Sequence, residues 1–147
     1  MVVLKGKDAE KVVQLGIGTE TEKGLELHEI EAAYLVKKGK IKLKKSLEKL
    51  IEGNEEKYRV YEDLRERGYV IRLSKESEWF RINRKGFRRN EDRTVYVLKV
   101  MKAPFKLTDK EIFEDVSFSA KLRKQLVYAI VHEKEIKYLT IGRMTFP

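Results

Sequence analysis

Along the first third of the chain, apolar positions recur in short clusters whose spacing keeps changing. "VVL" (2–4) reads as a brief strand, and Asp8 is placed to cap a helix presenting Val12, Val13 and Leu15. "GIGTETEKGLEL" (16–27) predicts turns and one short strand. In "HEIEAAYLVKKGKI" (28–41), Ile30, Ala33, Tyr34 and Leu35 fall at helical spacing, the last turn is basic, and Gly39 follows as a stop. "KIKL" (40–43) alternates like a strand, Ser46 caps "LEKLIE", and "GNEE" (53–56) is the most linker-like tetrapeptide.

Beyond it the pattern becomes bolder. "EEKYRVYEDLRERG" (55–68) sets Tyr58, Tyr61 and Leu64 on one helical face and ends at Gly68. "YVIRL", "WFRIN" and "TVYVLKVM" read as three strands. "LTDKEIFEDVSFSAKLRKQ" (107–125) begins as a loop and ends as a helix, and "LVYAIVH" and "IKYLTIG" close the chain as strands joined by "EKE". The expected fold is α/β (α+β): a small N-terminal α/β domain over 1–54 and a C-terminal α/β domain with a mixed sheet over 55–147.

Composition adds a direction to this outline. The 147 residues include no cysteine, which excludes disulfides and thiolate metal sites and suits a reducing compartment. No apolar run approaches the length of a membrane span, so a soluble, cytoplasmic protein is expected. Abundant Lys and Glu with only two prolines lean toward a thermophilic source. The net charge of +9 is lopsided: residues 1–57 carry 12 basic and 11 acidic groups, whereas 58–147 carry 21 and 13. A basic C-terminal part points to a polyanion such as nucleic acid. Its densest stretch is the loop 84–93, where Arg84, Lys85, Arg88, Arg89 and Arg93 are candidate RNA contacts; the competing reading is a solvated turn.

Residue chemistry narrows the class. The lone "GIG" at 16–18 lacks the spacing of a phosphate or dinucleotide loop and reads as a turn. His28 opens a helix and His132 ends a strand, without carboxylates at ligand spacing, so no metal site is expected. Tyr34, Tyr58, Tyr61 and Tyr128 sit at core-like spacing and read as packing residues.

Several blocks in order resemble the archaeal tRNA splicing endonucleases. "YEDLRERGYVIR" (61–72) is similar to the family's helix-to-strand block, and "FRINRKG" (80–86) to its Phe-Arg-Val-Tyr segment. "RTVYVLKV" (93–100) resembles its His-Ser-x-Tyr-Leu-Val strand, and "AKLRKQLVYAIV" (120–131) its Ser-Val-x-Lys helix with the following strand. In the N-terminal part, "GLELHEIEAAYLVKKGKIKL" (24–43) is similar to the segment with Glu-Ala-x-Tyr-Leu and Lys-Gly-Lys. The resemblance implies cleavage of precursor tRNA without metal or cofactor, leaving a 2′,3′-cyclic phosphate. A tyrosine serves as general base, a histidine as general acid, and a lysine stabilises the phosphorane.

In this chain the tyrosine position is Asn83, which has no ionisable proton, and the histidine position is Arg93, which stays protonated at any working pH. Lys124 keeps its type. The arginine that the family carries seven residues before that lysine, to clamp a bulged nucleotide, is Ser117 here, and Arg143 matches the second clamp arginine. The resemblance therefore implies a noncatalytic, structural subunit of a heterotetramer with two catalytic partners, acting on precursor tRNA. It also implies contacts between subunits: a final strand, for which Tyr138 and Ile141 are nominated, and an acidic docking loop, for which Glu133 and Glu135 are nominated, with "TDKEIFED" (108–115) as the alternative. Two other readings stay open: an active metal-free nuclease using displaced groups such as His132 with Lys124, and a stand-alone basic RNA-binding module.

Overall fold

The computed structural model describes residues 1–73, 78–85 and 94–147. Strands β1 (Val2–Leu4), β2 (Thr19–Thr21) and β3 (Gly24–Leu27) form an antiparallel sheet in the order β1-β3-β2, with helices α1 (Gly6–Val13), α2 (Glu29–Lys37) and α3 (Leu47–Ile51). A longer helix, α4 (Glu55–Glu66), leads into the second sheet. That sheet holds β4 (Ile71–Leu73), β5 (Phe80–Asn83), β6 (Thr94–Lys102), β7 (Gln125–Val131) and β8 (Ile136–Ile141) in sequential order. Its pairs are antiparallel except β6–β7, which run parallel. Parallel neighbours need a crossover, and α5 (Asp109–Leu122) supplies it. The α/β architecture with a mixed sheet is as the sequence pattern predicts.

Local chemistry explains the strongest elements. His28 caps α2: its Nδ1 accepts from the Ile30 N–H, while Glu31 reaches back to accept from the His28 N–H at 2.8 Å. Accepting at Nδ1 needs neutral imidazole, and burial holds the His28 pKa below its ordinary value. Glu31 also accepts from the Gly18 N–H at 2.9 Å, tying the "GIG" turn to α2; burial pushes its carboxyl pKa up. Gly18 has φ +88°, and a Cβ there would stand 2.8 Å from Leu27 Cδ2, so the turn requires glycine. Ser46 caps α3 through the Lys49 N–H.

Three expectations are corrected. "KIKL" is not a strand: Ile41 is buried and Leu43 packs against the core, which produces the alternation without a strand partner. Asp8 lies in the first turn of α1, behind an N-cap at Lys5 that makes no side-chain cap bond. Residues 109–115 are helix, not loop, because Thr108 accepts from the Glu111 N–H and starts α5 two turns early. Asp115 is therefore a buried helical residue rather than part of an acidic docking loop.

The large sheet is covered on both faces. Tyr58, Val60, Tyr61 and Leu64 of α4 join Ile30, Leu35 and Leu25 from the first 54 residues with Phe80, Ile82, Leu98 and Ala129 of the sheet in one core. On the other face, Val116 of α5 packs with Val97, Met101, Leu126 and Tyr128, flanked by Trp79, Phe118, Leu122 and Ile141. Tyr58, Tyr61 and Tyr128 are buried packing residues, and the Tyr34 and Tyr61 rings meet edge to face.

Candidate functional site

The start of β6 is where the nominated chemistry converges. β5 and β6 shift register between Ile82 and Asn83, so Asn83 pairs with Thr94. Such a bulge re-aims a side chain. Here the Asn83 amide turns inward, 2 % exposed, and its Oδ1 accepts from Thr94 Oγ1 at 3.0 Å. The Asn83 N–H donates to Val70 O at 2.9 Å, continuing the β4–β5 ladder by one residue.

Lys124 arrives at the same place from α5. The helix ends at Arg123 with φ +56°, a left-handed conformation rare outside glycine, and the Lys124 N–H closes on Ser119 O at 3.0 Å. That reversal sends the half-buried Lys124 side chain to β6, where Nζ donates to Thr94 O at 2.6 Å. Asn83 and Lys124 are thus joined through one residue, Thr94, the chain neighbour of position 93. Arg93 itself, with Arg88 and Arg89, lies outside the described residues.

Of the other nominated residues, Arg84 and Lys85 are exposed just beyond β5, with Lys85 Nζ 5.1 Å from the centre of the Tyr69 ring. Arg143 donates to Ser117 Oγ at 2.8 Å on the exposed side of α5, so the two positions that the resemblance matches to clamp arginines are in contact although 26 residues apart. Glu133 and Glu135 stand exposed in the β7–β8 turn, where Lys137 pairs with Glu135 at 3.6 Å. Tyr138 faces inward, donating to Asp63 Oδ2 at 2.6 Å, and burial together with that bond raises its pKa. Ile141 flanks the core beneath α5. The large apolar residue that β8 does present is Leu139, 49 % exposed, which the sequence reading did not name. Strict alternation from Tyr138 would have found it.

His132 and Lys124 bracket β7 from opposite ends. Eight residues of extended chain place them about 26 Å apart, so they cannot serve one reacting phosphate. His132 is bound into its turn through its backbone, donating to Glu135 O at 2.8 Å and accepting from Arg59 Nη1 at 2.6 Å. Among the described residues no three His, Cys, Asp or Glu side chains gather as a metal site would need, and no helix is long and apolar enough to cross a membrane.

A bulged β5–β6 pair, a lysine just beyond the crossover helix and two separate sheets define the architecture to be matched. The family comparisons agree: the tRNA intron endonuclease catalytic C-terminal domain matches residues 54–138, and the N-terminal domain of the same family matches 1–55. The chain belongs to the tRNA intron endonuclease family. It is 35% identical over 143 residues to a tRNA-splicing endonuclease of Thermococcus kodakarensis, covering 88% of this chain and 83% of that protein. A tRNA-splicing endonuclease of Thermococcus onnurineus is 32% identical over 131 residues, covering 80% and 75%. One from Methanosarcina mazei is 32% identical over 90% of this chain, which spans only 41% of that longer protein.

Proposed function

We propose that this chain is the structural, catalytically degenerate subunit of a tRNA splicing endonuclease, supporting intron excision from precursor tRNA in the cytoplasm by a catalytic partner, two copies of each forming a heterotetramer. The observation that carries the reading is the state of the tyrosine position. Asn83 has no ionisable proton, is buried, and spends its amide oxygen on Thr94. Arg93 is no proton donor at working pH. Lys124, the remaining group of the three, is held to a main-chain carbonyl of its own subunit. A general base needs to reach the 2′-hydroxyl, and a buried amide does not.

In this reading residues 1–54 and 55–147 act as accessory and endonuclease-like domains. Arg84, Lys85, Arg88, Arg89, Arg93 and Arg143 contact tRNA, the β7–β8 turn with Glu133 and Glu135 docks on the partner, and β8, which carries Tyr138 and Ile141, pairs with a partner subunit. The test is cleavage of an intron-containing precursor tRNA by the isolated chain, by the catalytic subunit, and by the two co-expressed and sized together. Cutting by the mixture and none by the chain alone is expected; metal-free cutting by the chain alone refutes the assignment. Reversing Glu133 and Glu135 together should weaken assembly without changing the fold.

A further inference from the structure

The large sheet brings two positive charges face to face outside the Asn83–Thr94–Lys124 cluster. Arg72 on β4 and Arg81 on β5 are direct partners in the antiparallel register, and both are exposed. The register Arg72–Arg81–Val97–Leu126 puts them on the face that α5 covers, yet α5 leaves both open to solvent. Neither guanidinium has a carboxylate or carbonyl partner among the described residues. The next cation on this face differs: Lys99 is paired with Asp115 at 3.2 Å.

Like charges directly opposite across two strands are destabilising. Edge strands do carry charge to discourage pairing with other chains, and that accounts for Arg72 on the edge strand β4. It does not account for Arg81 on β5, where a carboxylate would protect the edge equally and attract Arg72. An anion between the two guanidinium groups turns the repulsion into a clamp, since each offers several N–H donors in a planar fork suited to phosphate. The position suits RNA: Arg81 lies two residues before Asn83, about 7 Å along an extended strand. Base stacking is not the mode, because the neighbouring Trp79 ring is engaged by Phe118 at 5.0 Å and Lys99 at 5.8 Å.

We propose that Arg72 and Arg81 form a two-pronged phosphate site that grips the RNA backbone beside the Asn83–Lys124 cluster; this rests on the tRNA reading above. The experiment is binding of fluorescently labelled precursor tRNA to the full chain and to its assembly with the catalytic subunit, across a salt series. Arg72→Gln with Arg81→Gln should weaken binding roughly 5- to 20-fold at low salt and flatten the log–log salt dependence by about one phosphate contact. Arg72→Lys with Arg81→Lys should keep most of the salt slope while losing part of the affinity. The Gln variant should melt at or above the wild-type temperature, since a repulsive pair has been removed. Wild-type binding with an unchanged slope in the Gln variant overturns the site and leaves the tRNA reading standing. A lowered melting temperature with unchanged binding also overturns it, showing the arginines to be structural. Failure of the wild-type chain and its assembly to bind precursor tRNA at all removes the tRNA reading, and this site with it.

Discussion

Two lysines on neighbouring parts of the large sheet have opposite fates. Lys99 lies under α5, where its ammonium meets Asp115 Oδ2 at 3.2 Å and the same oxygen accepts from Tyr128 Oη at 2.6 Å. Lys124, just beyond the far end of α5, meets among the described residues the neutral carbonyl of Thr94. In the first cluster the charge is cancelled within the chain by a buried acid. In the second, geometry is fixed but the positive charge is not neutralised by that bond.

The sharpest way to break this comparison is to remove the buried acid. Asp115→Ala leaves Lys99 and the Tyr128 hydroxyl without their acceptor, and urea unfolding should show a loss of about 3 kcal/mol. Asn83→Tyr, which restores the family's residue, should cost about 2 kcal/mol, because a ring is forced into a buried, bulged position. It should not produce cleavage by the isolated chain.

Protonation gives a third contrast. Burial and the bond to Asp115 raise the pKa of Tyr128 above the usual tyrosine value, and burial does the same for Tyr61. Above the unfolded value of about 10, the unfolded chain sheds these protons first, so folding stability is whole below that pH and falls as pH rises beyond it. Tyr128 should contribute about 1.4 kcal/mol per pH unit to that slope, readable by denaturation at stepped alkaline pH as the part of the slope that Tyr128→Phe removes while the other buried tyrosines keep theirs. The Asn83 amide offers no such titration. The smallest effect is expected at Lys124→Met, which removes one hydrogen bond and should lower stability by about 1 kcal/mol. The cutting rate of the assembled enzyme should stay nearly unchanged. A collapse of that rate with assembly intact would place Lys124 in the chemistry and refute the structural-subunit assignment.

Legibility in the sequence followed the same physics. Helices α2 and α4 were readable because their apolar stripes end in glycines of positive φ, Gly39 and Gly68. The first half of α5 was not, because its buried position is the charged Asp115, which interrupts the stripe. Ile41 and Leu43 imitate a strand because both pack inward without a ladder. The positions 83 and 124 were reached only through resemblance to a family. Their meeting at Thr94, Asn83 through Oγ1 and Lys124 through the main-chain oxygen, was hidden, since the bond from Lys124 to a main-chain atom 30 residues away leaves no trace in side-chain pattern. The opposed arginines were equally silent until register was known.

The helix α4 holds the two halves of the chain in one cooperative unit. Arg65 reaches back to Leu15 O at 2.8 Å and forward to Tyr69 O, while Tyr58 and Tyr61 are sealed between both halves. Stripping off the first 54 residues would therefore bare an aromatic face that, among the described residues, the N-terminal part covers, so the endonuclease-like part should lose stability when transplanted alone. Heating the intact chain should give one melting transition for both sheets, because neither can open without uncovering the other.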